Sequence, residues 1–319
     1  MNEKLIAEAG AFDSQIEDRI KNGHVPDIRY TIKNDYFYNN VWRRPEYVNL
    51  DFGEIFRLIK DSIDSIFSNQ KVNVLEVGCG PGFITLELAR AGYSTTGIDL
   101  SSECIKVARE FADRDPHKTE RGRLEYFSGD FFSLKDIGQE KFDVIVFVGA
   151  LHHFANQDEV MKRVKQLLKK DGVIIVHEPT RDRVTLRNAA VVNLIKVLLS
   201  VNQNYFEEFG IPQDSDAIRA EAEKTFSKMR YETESGAKAQ SVNDNEAGYE
   251  QMYPALKNNF EQIEFSNRYA FFHELIGGLR YNEETNFKMA KYLKEIDTYF
   301  CQLGIIDYTE FYFTGRYHE

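Results

Sequence analysis

The sequence predicts an α/β protein built on a doubly wound, largely parallel sheet, and three features predict it. From Lys71 onward, short apolar runs alternate with segments of helical period. One run, Phe142–Val148 (FDVIVFV), is apolar on both faces, as a central strand covered by two helical layers has to be. A glycine-rich turn (Gly78, Gly80, Gly82) joins the first run to the first helix. Glycine there lets the backbone turn sharply and lets a ligand approach with no Cβ in the way.

The elements follow in order. Residues 72–77 (VNVLEV) predict the first strand and 83–91 the first helix. Residues 94–98 predict a second strand, 101–111 a helix, and 124–127 a short third strand. After the fourth strand, 142–148, come a helix over 157–169 and a fifth strand over 172–177 (GVIIVH). Beyond Pro179 the rhythm breaks. Residues 181–245 are helix-prone and end in a polar stretch, 232–246, expected to be mobile. Strand character returns at 260–265, a long helix spans 283–303, and the final strand covers 310–317 (EFYFTGRY). The implied division is an N-terminal helical and aromatic lid (1–60), a ligand-binding core (61–180), a helical cap (181–245) and the rest of the core (246–319).

Composition narrows the function. The chain has 319 residues, 42% of them hydrophobic, enough for a sizeable core and unlike a disordered or collagen-like chain. With 51 acidic residues against 40 Lys and Arg, the net charge is −11, which argues against binding a polyanion such as nucleic acid. Cys79, Cys104 and Cys301 are too few and too scattered for a disulfide framework, which fits a reduced, cytoplasmic protein. The acidic N-terminus does not read as a signal peptide, and the most apolar run, 189–201, falls short of the roughly 20 residues a bilayer span needs. No membrane association is expected.

The informative segment is Glu76-Val-Gly-Cys-Gly-Pro-Gly82, placed after a strand and before a helix. Asp99 closes the next strand, 21 residues past Gly78, where an acid can accept both ribose hydroxyls of an adenosine. A dinucleotide fingerprint needs glycine at position 83, and this chain has Phe83 there and Pro81 in the turn. An NAD(P)-dependent oxidoreductase is thereby disfavoured.

On these residues the sequence resembles the class I S-adenosylmethionine-dependent methyltransferases, in their small-molecule branch. The resemblance is strong over 71–179 and weak over 246–317. It implies a Rossmann-like seven-stranded sheet of order 3-2-1-4-5-7-6 with an antiparallel last strand, matched by the GRY ending. S-adenosylmethionine is the implied cofactor and S-adenosylhomocysteine its product. Carried over residue by residue, Glu76, Gly78, Cys79, Gly80 and Gly82 lie around its methionine part. Asp99 with Leu100 takes the ribose, Asp130 and Phe131 take the adenine, and Val148 and His153 stand at the cofactor-facing end of strand four. Tyr38 and Arg43, in the aromatic-basic cluster at 36–45, are candidates for a lid contact with the methionine carboxylate.

Methyl transfer from a sulfonium is an in-line displacement, so alignment and exclusion of water matter most. A base helps when the acceptor must lose a proton. His152 and Glu178, at the carboxyl ends of strands four and five, are the candidate catalytic residues. The adjacent pairs His152–His153 and His177–Glu178 lack recognisable metal-ligand spacing, and no metal is expected. The reading is methyl transfer to an oxygen or nitrogen of a small molecule. Its alternative is a non-methylating relative that binds the same cofactor. Gly149-Ala-Leu-His-His after strand four is unlike the motif of base-amino methyltransferases. Two helical additions around one core are compatible with a homodimer.

Overall fold

The computed structural model describes residues 3–23, 25–30, 48–68, 70–135, 137, 142–233 and 235–318. Its centre is a seven-stranded sheet of order β3-β2-β1-β4-β5-β7-β6. The strands are β1 (Asn73–Val77), β2 (Ser94–Asp99), β3 (Leu124–Ser128), β4 (Phe142–Val148), β5 (Leu168–Pro179), β6 (Glu261–Arg268) and β7 (Glu310–Arg316). Pairing is parallel from β3 through β5, and β7 runs antiparallel to both β5 and β6. The predicted order and the reversed last strand are therefore both found. Helices occupy 3–21 (α1), 53–67 (α2), 83–90 (α3), 102–113 (α4), 157–167 (α5), 186–201 (α6), 215–229 (α7), 249–259 (α8), 272–275 (α9) and 283–302 (α10).

Period-two alternation explains why the central strands read as continuous apolar runs. Leu75, Ile145, Phe147, Ile174 and Val176 point to one face, where they meet Val160, Met161 and Val164 of α5 and Met252 and Leu256 of α8. Their neighbours Val74, Val144, Val146, Val173 and Ile175 point to the other, against Ile55, Ile59 and Ile63 of α2 and Ile84 and Leu88 of α3. Each fully buried side chain of this kind contributes about 1.5–3 kcal/mol. Helix α2 is thus one of the layers over the sheet, although its first residues lie within 1–60.

A separate apolar cluster stands beyond the carboxyl edge of the sheet. It joins Val192 and Leu199 of α6 to Phe271, Phe272, Leu275, Ala290 and Leu293. The fully buried Asp297 carboxylate organises it by accepting the backbone N–H groups of Ala270, Phe271 and Phe272 at 2.6–3.0 Å. The polar stretch 232–246, expected to be mobile, is instead fastened down. Ser241, Asn243 and Asp244 are buried, because their polar groups find partners on α1 and on Arg181. The aromatic-basic cluster with Tyr38 and Arg43 lies outside the described residues.

Arg90, at the end of α3, ties the periphery to the core. Its side chain is 2% exposed and forks onto Asp27 at 2.7 and 2.8 Å, with Asp115 at 2.9 Å and Glu87 at 3.1 Å. Removing a cation from such a buried cluster strands its carboxylates. Arg90→Met is expected to lower unfolding free energy by about 3–5 kcal/mol, read as a reduced urea midpoint.

Candidate functional site

The carboxyl ends of β1, β2 and β4 open onto a cavity of about 630 Å³, within the usual range for a small-molecule site. Its floor is Glu76–Pro81, Asp99 and Leu100, with Asp130 and Phe131 on one side and Val148–Ala150 and His153 on another. Its roof is α1, which presents Leu5, Glu8, Phe12, Ile16 and Arg19, a spacing that puts all five on one helical face. The sequence motifs reveal the floor. The roof carries a signal too, the 3–4 residue spacing of those α1 side chains, but nothing in a motif links it to the loop at 76–82.

Two glycines of the loop serve different ends. Gly78 (φ +72°) sits where a Cβ would come within 2.5 Å of the Ala150 Cβ, so the loops after β1 and β4 can touch only if residue 78 is glycine. Gly82 (φ +80°) does not line the cavity. A Cβ there would strike the Tyr126 ring, whose hydroxyl donates to the Gly82 carbonyl at 3.0 Å. Its expected place beside the ligand is corrected to a packing role against β3. Cys79 is buried, and burial pushes its thiol well above the ordinary value, so it lines the cavity as an inert small residue.

The acids of the floor are electrostatically distinct. The Asp99 carboxylate accepts the N–H groups of Gly80 and Ser101, each at 2.8 Å. Burial nonetheless raises its pKa to about 6, opposed by those two N–H groups and helped by the negative Asp13 and Glu8. Glu76 is more deeply buried and is pushed up to about 8, with Thr85 donating its hydroxyl to the carboxylate. That shift favours its protonated form at neutral pH. Asp130 accepts from Phe132 N at 3.3 Å, which shapes the turn after β3.

The two residues expected to act as bases stand elsewhere. Glu178 is fully buried and takes four donors: Ala150 N and Leu151 N at 2.7 Å, His152 Nδ1 at 2.6 Å and His152 N at 3.4 Å. Burial would raise its pKa, but these partners hold it below the ordinary carboxylate value. His152 is 3% exposed, and its Nε2 lies 3.5 Å from Asp244 Oδ1, so carboxylates face both of its ring nitrogens. Neither residue lines the cavity. Both side chains brace the turn behind this wall, away from the lining where a base was expected. His153 lines the cavity, with Nδ1 3.0 Å from Glu8 Oε1 and its ring edge-on to Phe12.

A family model described as a methyltransferase domain matches residues 68–209. That stretch is less than half of the chain, and over it the sequence is similar to a methyltransferase domain. The ubiquinone biosynthesis O-methyltransferase of Actinobacillus pleuropneumoniae is 36% identical over 102 residues, 32% of this chain and 43% of that protein. The mitochondrial enzyme of the same description from Saccharomyces cerevisiae is 31% identical over 145 residues, 44% of each chain. The match thus spans less than half the length of these relatives. Among solved structures, a candidate sarcosine dimethylglycine methyltransferase from Galdieria sulphuraria superposes with a TM-score of 0.53 at 12% identity, over 96% of this chain and 98% of its own. That likeness shows the shared fold.

The domain's residues fit S-adenosylmethionine. Gly80 leaves open space where a Cβ would stand, Asp99 offers a carboxylate at the end of β2, and the buried, protonated Glu76 is an acid that a ligand's ammonium group would ionise. With Asp99 in the ribose-binding place that the resemblance implies, affinity for S-adenosylhomocysteine is expected to fall as pH drops through 6, by roughly tenfold per unit below it, and to level off above. Calorimetric titration across pH 5–8 reads this. Asp99→Ala should bind about 10–100-fold more weakly at pH 7.5. Gly78→Ala should lose the site through the Ala150 clash, seen in the same titration.

Proposed function

We propose that this chain transfers the methyl group of S-adenosylmethionine to a hydroxyl oxygen of a small, ring-containing acceptor. The observation that carries the reading is the cavity itself. It joins the loop at 76–82, Asp99 and Asp130 under a helical roof, leaving a partly open volume of small-molecule size. Oxygen is favoured over nitrogen because the relatives reported above carry O-methyltransferase descriptions.

The cofactor would supply an activated methyl group on a sulfonium, and the chain's residues supply placement. Asp99 holds the ribose, Asp130 with Phe131 holds the adenine, and Glu76 with the backbone of Gly78–Gly80 holds the amino-acid end. Arg19 lines the cavity from α1 and offers it a guanidinium for a carboxylate. In this reading it takes the part that Arg43 or Tyr38 was expected to play. Holding nucleophile, methyl and sulfur in line supplies on the order of 7–11 kcal/mol in the best intramolecular cases. Helix α1 is the lid: Phe12 against His153 closes the cavity and excludes water. Residues 181–245 with the cluster around Phe271 form the cap over the acceptor side. Glu178 and His152 act as positioning residues that fix the turn carrying Ala150 and His153.

The test is incubation of the purified protein with S-adenosylmethionine and a panel of catechols, hydroxybenzoates and matched anilines, analysed by mass spectrometry. Methyl ethers formed one-for-one with S-adenosylhomocysteine are expected. Methylated anilines alone would move the reading to nitrogen. Micromolar cofactor binding with no methylated product would favour the non-methylating alternative.

A further inference from the structure

At the cavity wall the chain brings together three side chains to which the methyl-transfer reading gives at most a positioning or packing role. His152 and His153 follow β4 in a single 3-10 turn, and Asp244 comes from the segment before α8. One potential ligand atom from each, counting both histidine rings and the carboxylate, lies within 4.8 Å of the other two. Asp244 is fully buried and His152 is 3% exposed. His152 Nε2, His153 Nδ1 and Asp244 Oδ2 are all buried: His152 Nε2 lies 3.5 Å from Asp244 Oδ1, His153 Nδ1 lies 3.0 Å from Glu8 Oε1, and Asp244 Oδ2 has no hydrogen-bond partner among the described residues. A buried carboxylate oxygen without a partner calls for one, and a bound ion is one way to supply it.

The surroundings are those of a ligand set held in readiness. Glu178 pairs with His152 Nδ1 at 2.6 Å, which fixes the ring and directs Nε2 towards Asp244. A carboxylate behind a histidine is the usual outer partner of a metal-bound imidazole. Arg181 performs the equivalent task for Asp244. It grips Oδ1 at 2.5 Å, lies 3.7 Å over the Tyr231 ring, and leaves Oδ2 as the unpaired oxygen. Glu8 Oε1 stands 3.0 Å from His153 Nδ1, a further oxygen at the rim.

We propose that His152, His153 and Asp244 bind one divalent transition-metal ion, with zinc the best fit. Two imidazole nitrogens and one carboxylate oxygen suit zinc and its neighbours, whereas magnesium and calcium prefer all-oxygen shells. Donor atoms around a tetrahedral ion stand roughly 3–3.5 Å apart, so the set has to contract by about 1 Å to close. Three protein ligands leave a fourth position open, the pattern of reactive rather than structural sites. His153 lines the cavity, so the open position lies at the wall shared with the acceptor. The ligand class it would take is an anionic oxygen, either a carboxylate or a hydroxyl that has released its proton to water. The site departs from the sequence-based expectation because Asp244 is 91 residues beyond His153, a separation in which no ligand spacing can be read.

Tag-free protein stripped with chelator and titrated with zinc tests this without cofactor or acceptor, so its result is independent of whether methyl transfer is the activity. One equivalent of zinc bound at micromolar or tighter affinity is expected, with a visible cobalt(II) spectrum of the four- or five-coordinate type. Asp244→Asn and His152→Ala should each weaken zinc binding at least 100-fold, while His273→Ala, on the far side of β5, should leave it unchanged. X-ray absorption on the zinc-loaded wild-type protein should show two imidazole nitrogens, a readout that survives if a variant fails to fold. Absence of a stoichiometric equivalent, an all-oxygen shell, or full binding by folded Asp244→Asn would overturn the proposal.

Discussion

The site depends on one buried carboxylate. Glu178 ends β5 level with the end of β4 and gathers the backbone of Ala150, Leu151 and His152 together with the His152 ring. A turn that leaves a central strand would otherwise bury several unpaired N–H groups, each costing about as much as a lost hydrogen bond. Because Glu178 meets that demand, the turn is held tightly enough for Ala150 to abut Gly78 and for His153 to face the cavity. Shape on the ligand side therefore follows from a charge on the hidden side.

The second constraint is the docking of α1, and it too is made by acids meeting donors. Glu8 accepts from Ser241 Oγ at 2.9 Å and Asn243 N at 2.8 Å, and Asp13 accepts from Ser101 Oγ at 2.6 Å. The first pair binds the roof to the insertion and the second binds it to the start of α4, beside Asp99. Roof, insertion and ribose-side acid are thus coupled through short polar contacts, with apolar contacts of Ile16 to Cys104 and Val107 beneath. A ligand that moves Asp99 is felt at α1 through Ser101, whose N–H and hydroxyl serve the two acids separately.

Much of the fold is legible in the sequence because its cause is local. Strands β1, β4 and β5 announce themselves by apolar runs that must be buried on both faces, and the loop at 76–82 announces itself by glycines that its geometry requires. What the sequence hides is where polar groups spend their hydrogen bonds. His152 and Glu178 sit at strand ends where ligands bind in open α/β sheets, yet their donors and acceptors are committed to each other and to the turn. Gly82 belongs to the same pattern as Gly78 and Gly80 but answers to Tyr126, a residue 44 positions away. Asp244 lies in a stretch whose composition reads as solvated, and only the contacts of Arg181 and α1 bury it.

The cavity's charges bear on how a cofactor would be held and released. Its floor and roof carry Glu76, Asp99, Asp130 and Glu8, while Lys4 is already paired with Glu246. Burial lifts the pKa values of Glu76 and Asp99, and neighbouring acids add to the rise, so both carboxylates are costly to ionise. A ligand with a sulfonium and an ammonium relieves that cost and draws both acids into their charged forms. After methyl transfer the sulfur is neutral, the ammonium remains, and the attraction weakens while the contacts to ribose and adenine persist. Electrostatics would thus favour the reactive cofactor over its product in a cavity whose shape treats the two alike. That difference arises from buried carboxylates and requires no base on the cavity wall.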